Sequence, residues 1–157
     1  MQLEQRLKTN FSLTSLNLQE NNITDIVTLV SSLALSSQTG SLKYLNLKNN
    51  NVDFSKEINV KAFCDFLKES RNLQVLRLHK MFKIQSEVAQ DEPIRHLTET
   101  IVSALEESES RLTLRAIEMD LPTEMSWKTA ERFEACMPQL ESLDLYCLSF
   151  VHPEDRI

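Results

Sequence analysis

The chain has 157 residues and a mass of 18.1 kDa, and its 41% hydrophobic and 25% charged content is the profile expected of one soluble globular domain. Its single glycine, Gly40, excludes the patterns G-x-x-x-x-G-K-[ST], G-x-G-x-x-G and G-x-S-x-G, and with them a glycine-built EF-hand loop. A net charge of −6 and a pI near 5.1 argue against a general pull toward nucleic acid or an anionic membrane.

Along the chain, Leu3 and Leu7 form an i,i+4 pair ending at Phe11, which predicts a helix over about 2–10 that covers the first strand. No apolar stretch follows the charges of this segment, so it does not read as a secretion signal. Leu13-Thr-Ser-Leu16-Asn-Leu18-Gln-Glu-Asn21-Asn-Ile23 comes next, and Leu42-Lys-Tyr-Leu45-Asn-Leu47-Lys-Asn-Asn50-Asn-Val52 repeats it at every fixed position of L-x-x-L-x-L-x-x-N-x-[LIV]. A third copy, Leu73-Gln-Val-Leu76-Arg-Leu78, keeps the leucines and has Met81 where Asn belongs. Leu114-Arg-Ala-Ile117-Glu-Met119 is a degenerate fourth, and Leu140-Glu-Ser-Leu143-Asp-Leu145 a fifth with Leu148 at the Asn position. Each Leu-x-Leu core alternates with period 2 and predicts a short strand with one buried face.

Helical patterns fill the gaps. Thr24 is the expected cap of a helix from Asp25 to Ser36 that buries Ile26, Leu29, Val30 and Leu33. Ser55 is the expected cap of the next, with Val60, Phe63, Phe66 and Leu67 inward. Asp91 is the expected cap of the third, with Pro93 in its first turn and Ile94, Leu97, Ile101 and Leu105 inside. Thr123 or Ser126 starts the fourth, with Trp127, Ala130, Phe133 and Met137 inward and Pro138 near its end. The most apolar run, Ile26 to Leu35, is too short to cross a bilayer. Asn21 and Asn50 are expected to hold the turns after the first two strands by side-chain hydrogen bonds, in place of positive φ.

The five copies start at 13, 42, 73, 114 and 140, and at this spacing the chain resembles the leucine-rich-repeat family, in its ribonuclease-inhibitor-like subclass. The resemblance implies an α/β fold: one domain over 1–157, a right-handed β-α solenoid or horseshoe arc with about five parallel strands on the concave face and helices on the convex face. It also implies a non-enzymatic module that binds a protein through the concave strands and adjacent loops. Small proteins of this kind occur among effectors of intracellular bacteria. The alternative is a segment of a larger leucine-rich-repeat receptor or effector whose open end packs on another domain or self-associates weakly through an exposed terminal strand.

Residues alternating with the buried leucines fall on the concave side: Ser15, Asn17 and Gln19; Tyr44, Asn46 and Lys48; Val75, Arg77 and His79; Ala116, Glu118 and Asp120; Ser142, Asp144 and Tyr146. Lys48, Arg77, His79 and Lys80 make a basic middle, and Glu118, Asp120 and Asp144 an acidic end. Arg77 and Glu118 either pair across neighbouring strands or belong to a docking strip that orients a partner. Tyr44 and Tyr146, the only tyrosines, both fall on this face. The candidate partner-binding set is therefore Tyr44, Asn46, Lys48, Arg77, His79, Glu118, Asp120, Asp144 and Tyr146. An insertion over about 79–90, with Met81, Phe82, Ile84 and Val88, either folds over the core or offers an apolar binding edge.

Chemistry has few footholds. His79, His96 and His152 lie in different repeats without metal spacing, and the acidic residues do not supply the oxygens that Ca²⁺ needs. No catalytic residue, cofactor or metal is expected. Cys64, Cys136 and Cys147 are odd in number and widely spaced, which suits free thiols in the cytoplasm, or a host cytosol for a translocated effector. The sequons Asn10-Phe-Ser12 and Asn22-Ile-Thr24 are then chance occurrences. Glu106-Glu-Ser-Glu-Ser110 reads as a bland polar connection. The C-terminal half, with its insertion and acidic strip, is the expected working end.

Overall fold

The computed structural model describes residues 2–9, 12–38, 40–82 and 91–148. Along them run α1 (Gln2–Thr9), β1 (Ser15–Asn17), α2 (Val27–Gln38), β2 (Tyr44–Asn46), α3 (Glu57–Glu69), β3 (Val75–Arg77), α4 (Asp91–Glu107), β4 (Ala116–Pro122), α5 (Ser126–Cys136) and β5 (Ser142–Leu148). The strands form one open parallel sheet in the order β1-β2-β3-β4-β5. Leu16, Leu45, Leu76, Ile117 and Leu143 stand in one register row across it. A parallel neighbour demands a crossover between strands, and α2, α3, α4 and α5 are those crossovers. Consecutive helices pack on one another and close the leucine-bearing side of the sheet. Leu45, Leu76 and Leu33 reach zero exposure there. Among the described residues, no helix is long and apolar enough to cross a membrane.

Several helix starts differ from expectation because acidic and amide side chains take the turns first. α2 starts at Val27, whose N–H donates to Asp25 Oδ1 at 3.0 Å, in place of a Thr24 cap. Before α3, Asp53 Oδ1 accepts both the N–H (3.2 Å) and the hydroxyl (2.5 Å) of Ser55, so Ser55 serves the preceding turn and Lys56 holds the cap position. Asp91 already lies inside α4. A short 3-10 turn over Thr123–Met125 precedes α5, and the Ser126 hydroxyl donates back to Thr123 O.

Trp127 is 58% exposed, not inward. The inner face of α5 is set by Thr129 and Phe133, and a residue two positions earlier lies about 200° away round the helix. At the other end, α1 packs on α2 and buries Leu7 in the core, and leaves Leu3 exposed. Phe11, also expected there, lies outside the described residues.

Two polar ladders stitch the rims of the sheet. Buried Asn50 donates through Nδ2 to the carbonyls of Leu47, Leu18 and Lys48 (2.9, 3.0 and 3.3 Å). Its Oδ1 accepts from Ile23 N–H and Asn21 N–H at 3.0 and 3.1 Å. The expectation that such bonds replace positive φ fails, since Glu20, Asn49 and Lys80, the eighth residue of each of the first three repeats, all have φ between 53° and 59°. The opposite rim is held by serine. Ser37 O accepts Arg71 N–H, and Ser70 O accepts both Ser110 N–H and the Ser108 hydroxyl (2.9 Å). Ser110 Oγ accepts Leu73 N–H at 3.0 Å. Ser70, Ser108 and Ser110 are fully buried, so the connection that looked bland is a structural clamp.

The start of the insertion lies over the core. Met81 is buried, Phe82 bridges to Val52, and the Phe82 ring stands 6.3 Å from Phe54, which in turn meets Phe63. Ile84 and Val88 lie outside the described residues, as do His152 and the rest of 149–157.

Candidate functional site

The face of the sheet turned away from the leucines is polar, and parallel pairing aligns its residues in rows. Tyr44, Val75, Ala116 and Ser142 share one row; Asn46, Arg77, Glu118 and Asp144 share the next. β4 and β5 run on through Asp120 and Tyr146, which also stand opposite each other. All nine candidate residues therefore lie within three strand steps of one another, on four neighbouring strands and the turns that follow them.

Within this set the side chains fall into two kinds. Asn46, Glu118 and Asp120 are buried, at 2, 8 and 7% exposure. Asn46 does the work of a turn: its Oδ1 accepts Lys48 N–H at 3.0 Å and its Nδ2 donates to Gln19 Oε1. Asn17 makes the equivalent bond to Gln19 N–H one repeat earlier. These two asparagines follow from the Leu-Asn-Leu pattern of both repeats, where sequence reasoning saw only outward positions.

Glu118 is the hub of the charged cluster. Lys48 Nζ lies 2.8 Å from its Oε1, Arg77 Nε lies 3.9 Å from its Oε2, and the Tyr146 hydroxyl donates to it at 3.3 Å. The cross-strand Arg77–Glu118 pair is thus real, but Lys48, two strands away, is the closer cation. Burial pushes the Glu118 carboxyl up; the Lys48 hydrogen bond and charge, the Tyr146 hydroxyl and Arg77 outweigh it and hold the group below its ordinary range. Reciprocally, the Glu118 charge, with burial and Asp144, pushes the Tyr146 phenol up.

Asp120 forms a second anchor. Its Oδ1 faces His79 Nδ1 at 2.8 Å and its Oδ2 accepts Lys80 N–H at 2.6 Å. With the carboxylate accepting, Nδ1 carries the hydrogen and Nε2 points away from it. The His79 ring stacks on Tyr146 with centroids 3.7 Å apart. These groups, with Phe82, Cys147 and Leu148, line a cleft of about 320 Å³ at the ends of the strands.

Arg77, Asp144 and Tyr146 remain outward. Arg77 lies over the Tyr44 ring, 5.8 Å from its centre, and its side chain is 45% exposed. Tyr146 is 41% exposed. Asp144 is exposed, and among the described residues its carboxylate takes part in no ion pair or hydrogen bond. Charge reversal at Glu118 would therefore break the hub, whereas reversal at Asp144 breaks no ion pair or hydrogen bond on the face.

Cys64 is buried in the core, and burial pushes its thiol up to about 11. Cys136 is half-buried, and burial followed by the Glu106 charge raises it also. Both thiols are thus held in the unreactive form. Among the described residues, no group of three His, Cys, Asp or Glu side chains is gathered as metal ligands would be. No family model matches the chain, and no curated protein matches it.

Proposed function

We propose that the chain is a leucine-rich-repeat solenoid acting as a non-enzymatic protein-binding module in the cytoplasm, and that its partner docks on the polar face of the sheet. One observation carries this reading: the buried anchors Asn46, Glu118 and Asp120 are bonded from within the chain, and Glu118 holds Arg77 and Tyr146 on a rigid support beside the unpaired, outward Asp144. A surface prepared in this way loses little side-chain entropy on binding, and aromatic and arginine groups are the usual anchors of such contacts. Asp144 lacks an internal partner and Tyr146 has one ring face taken by His79, so a basic or guanidinium group of the partner fits between them. The leucine-rich-repeat assignment rests on the sequence pattern, the sequential all-parallel sheet and the asparagine ladder together.

The test is affinity capture from the native cell with two baits, the wild-type chain and Asp144→Arg, followed by mass spectrometry and measurement of affinity for the recovered protein. The expected result is a partner held by the wild type and weakened about tenfold or more by Asp144→Arg, whose stability stays within about 0.5 kcal/mol as for other surface changes. A partner bound equally by both baits would overturn the polar-face reading.

A further inference from the structure

The sheet ends on β5, whose edge is unlike that of β1. β1 has three residues, and β5 has seven, all paired with β4 on one side and with no strand on the other among the described residues. Leu143 and Leu145 of β5 are only half-buried, whereas Leu45, Leu76 and Ile117 in the row of Leu143 are at most 1% exposed and Met119, opposite Leu145, is 3% exposed. Ser142–Leu148 has no lysine, no proline and a single charge, Asp144, so it lacks the usual devices that keep an edge strand from pairing.

We propose that this edge is the two-fold interface of a dimer, β5 pairing antiparallel with β5 of a second copy in the register that sets Leu145 against Leu145. The strand is complementary to itself in that register and in few others. Leu143 then meets Cys147 on the core side, and Asp144 meets Tyr146 on the polar side. Centring the pair on Asp144 would set two carboxylates face to face, at a cost of like-charge repulsion. A slip by one residue would align the leucine face of one copy with the polar face of the other. A head-to-tail contact with β1 would engage three residues only and would propagate as an open fibre. The two-fold pairing completes the apolar rows at Leu143 and Leu145 and joins the two polar faces into one surface.

Sedimentation of the reduced wild-type chain over a range of concentrations, together with oxidation of Leu143→Cys, tests this. Cross-strand partners in an antiparallel pair have Cα atoms about 4.5–5.5 Å apart, within disulfide reach, while positions 143 and 147 of one strand are about 13 Å apart and cannot be bridged. The expected results are a reversible monomer–dimer equilibrium for the wild type, and a covalent dimer of Leu143→Cys that disappears when Cys147→Ser is added. A wild-type chain that stays monomeric at its highest soluble concentration overturns the proposal. So does a Leu143→Cys chain that forms no covalent dimer, a dimer that survives Cys147→Ser, or a ladder of larger species. Asp144 and Tyr146 belong to both surfaces, but sedimentation and the disulfide read the contact between copies directly, whereas capture reads a different protein, so either proposal can fail while the other holds.

Discussion

Asn21 and Asn50 occupy the same position in successive repeats but carry different burdens. Asn50 is buried and satisfies backbone groups of its own repeat and of the one before it, whereas Asn21 is exposed and its Nδ2 donates to Gln19 O alone. Asn50→Ala leaves one or two buried backbone groups without partners, at about 1–3 kcal/mol each, so an overall loss of about 2–4 kcal/mol is expected by urea denaturation. Asn21→Ala should cost less than about 1 kcal/mol in the same measurement. Glu118 makes a different kind of prediction. Its carboxyl is held below the ordinary range in the folded chain, so it contributes stability above the unfolded carboxylate value of about 4.3, and that contribution is lost as pH falls through the lower folded value. Denaturation midpoints between pH 7 and pH 2 should therefore drop less steeply in Glu118→Gln than in the wild type. For Tyr146 the sign is opposite: its raised phenol contributes below its ordinary value near ~10 and ceases to as pH rises through the folded value.

At the level of elements, the strands were the part most visible in the chain. Leucine at fixed spacing leaves few other ways to build a buried row, and Leu45, at zero exposure, should cost about 2–5 kcal/mol when truncated to Ala. Trp127→Ala should change stability by no more than about 0.5 kcal/mol despite the size of the side chain, because the indole is exposed on α5. Thermal or denaturant unfolding of the pair separates these cases. The serine rim was not visible, because a polar residue reads as surface until the carbonyls and amides it must satisfy are located. Ser108 and Ser110 look solvated in a Glu-rich run yet are fully buried. The candidate site was visible by face but not by depth. Strand alternation placed Glu118, Asp120 and Asp144 together; which of them was covered depended on the reach of Lys48, His79 and Tyr146 across strands, which no spacing rule contains. Helix starts failed for a related reason, since Asp25 takes the Val27 amide and Asp53 takes both the amide and the hydroxyl of Ser55.

Taken whole, the molecule is a stack in which each strand contacts its sequence neighbours, so protection should rise toward the middle of the sheet. Amides of β2, paired on both sides, are expected to exchange hydrogen more slowly than those on the outer edge of β5 in dilute solution. Equal protection of both edges and the centre would contradict that gradient. The left-handed residues Glu20, Asn49 and Lys80 recur at the same position of the first three repeats, and this gives the stack an unspent reserve of thermal tolerance. A side chain in that conformation costs about 1–2 kcal/mol, against about 0.5–1 kcal/mol of extra chain entropy for glycine. Glu20→Gly and Lys80→Gly should each raise the melting temperature modestly. Roughly two strand spacings, about 10 Å, separate the turns, so the gains should add in the double variant. A chain with one glycine among 157 residues has thus left its least costly stabilising changes unmade.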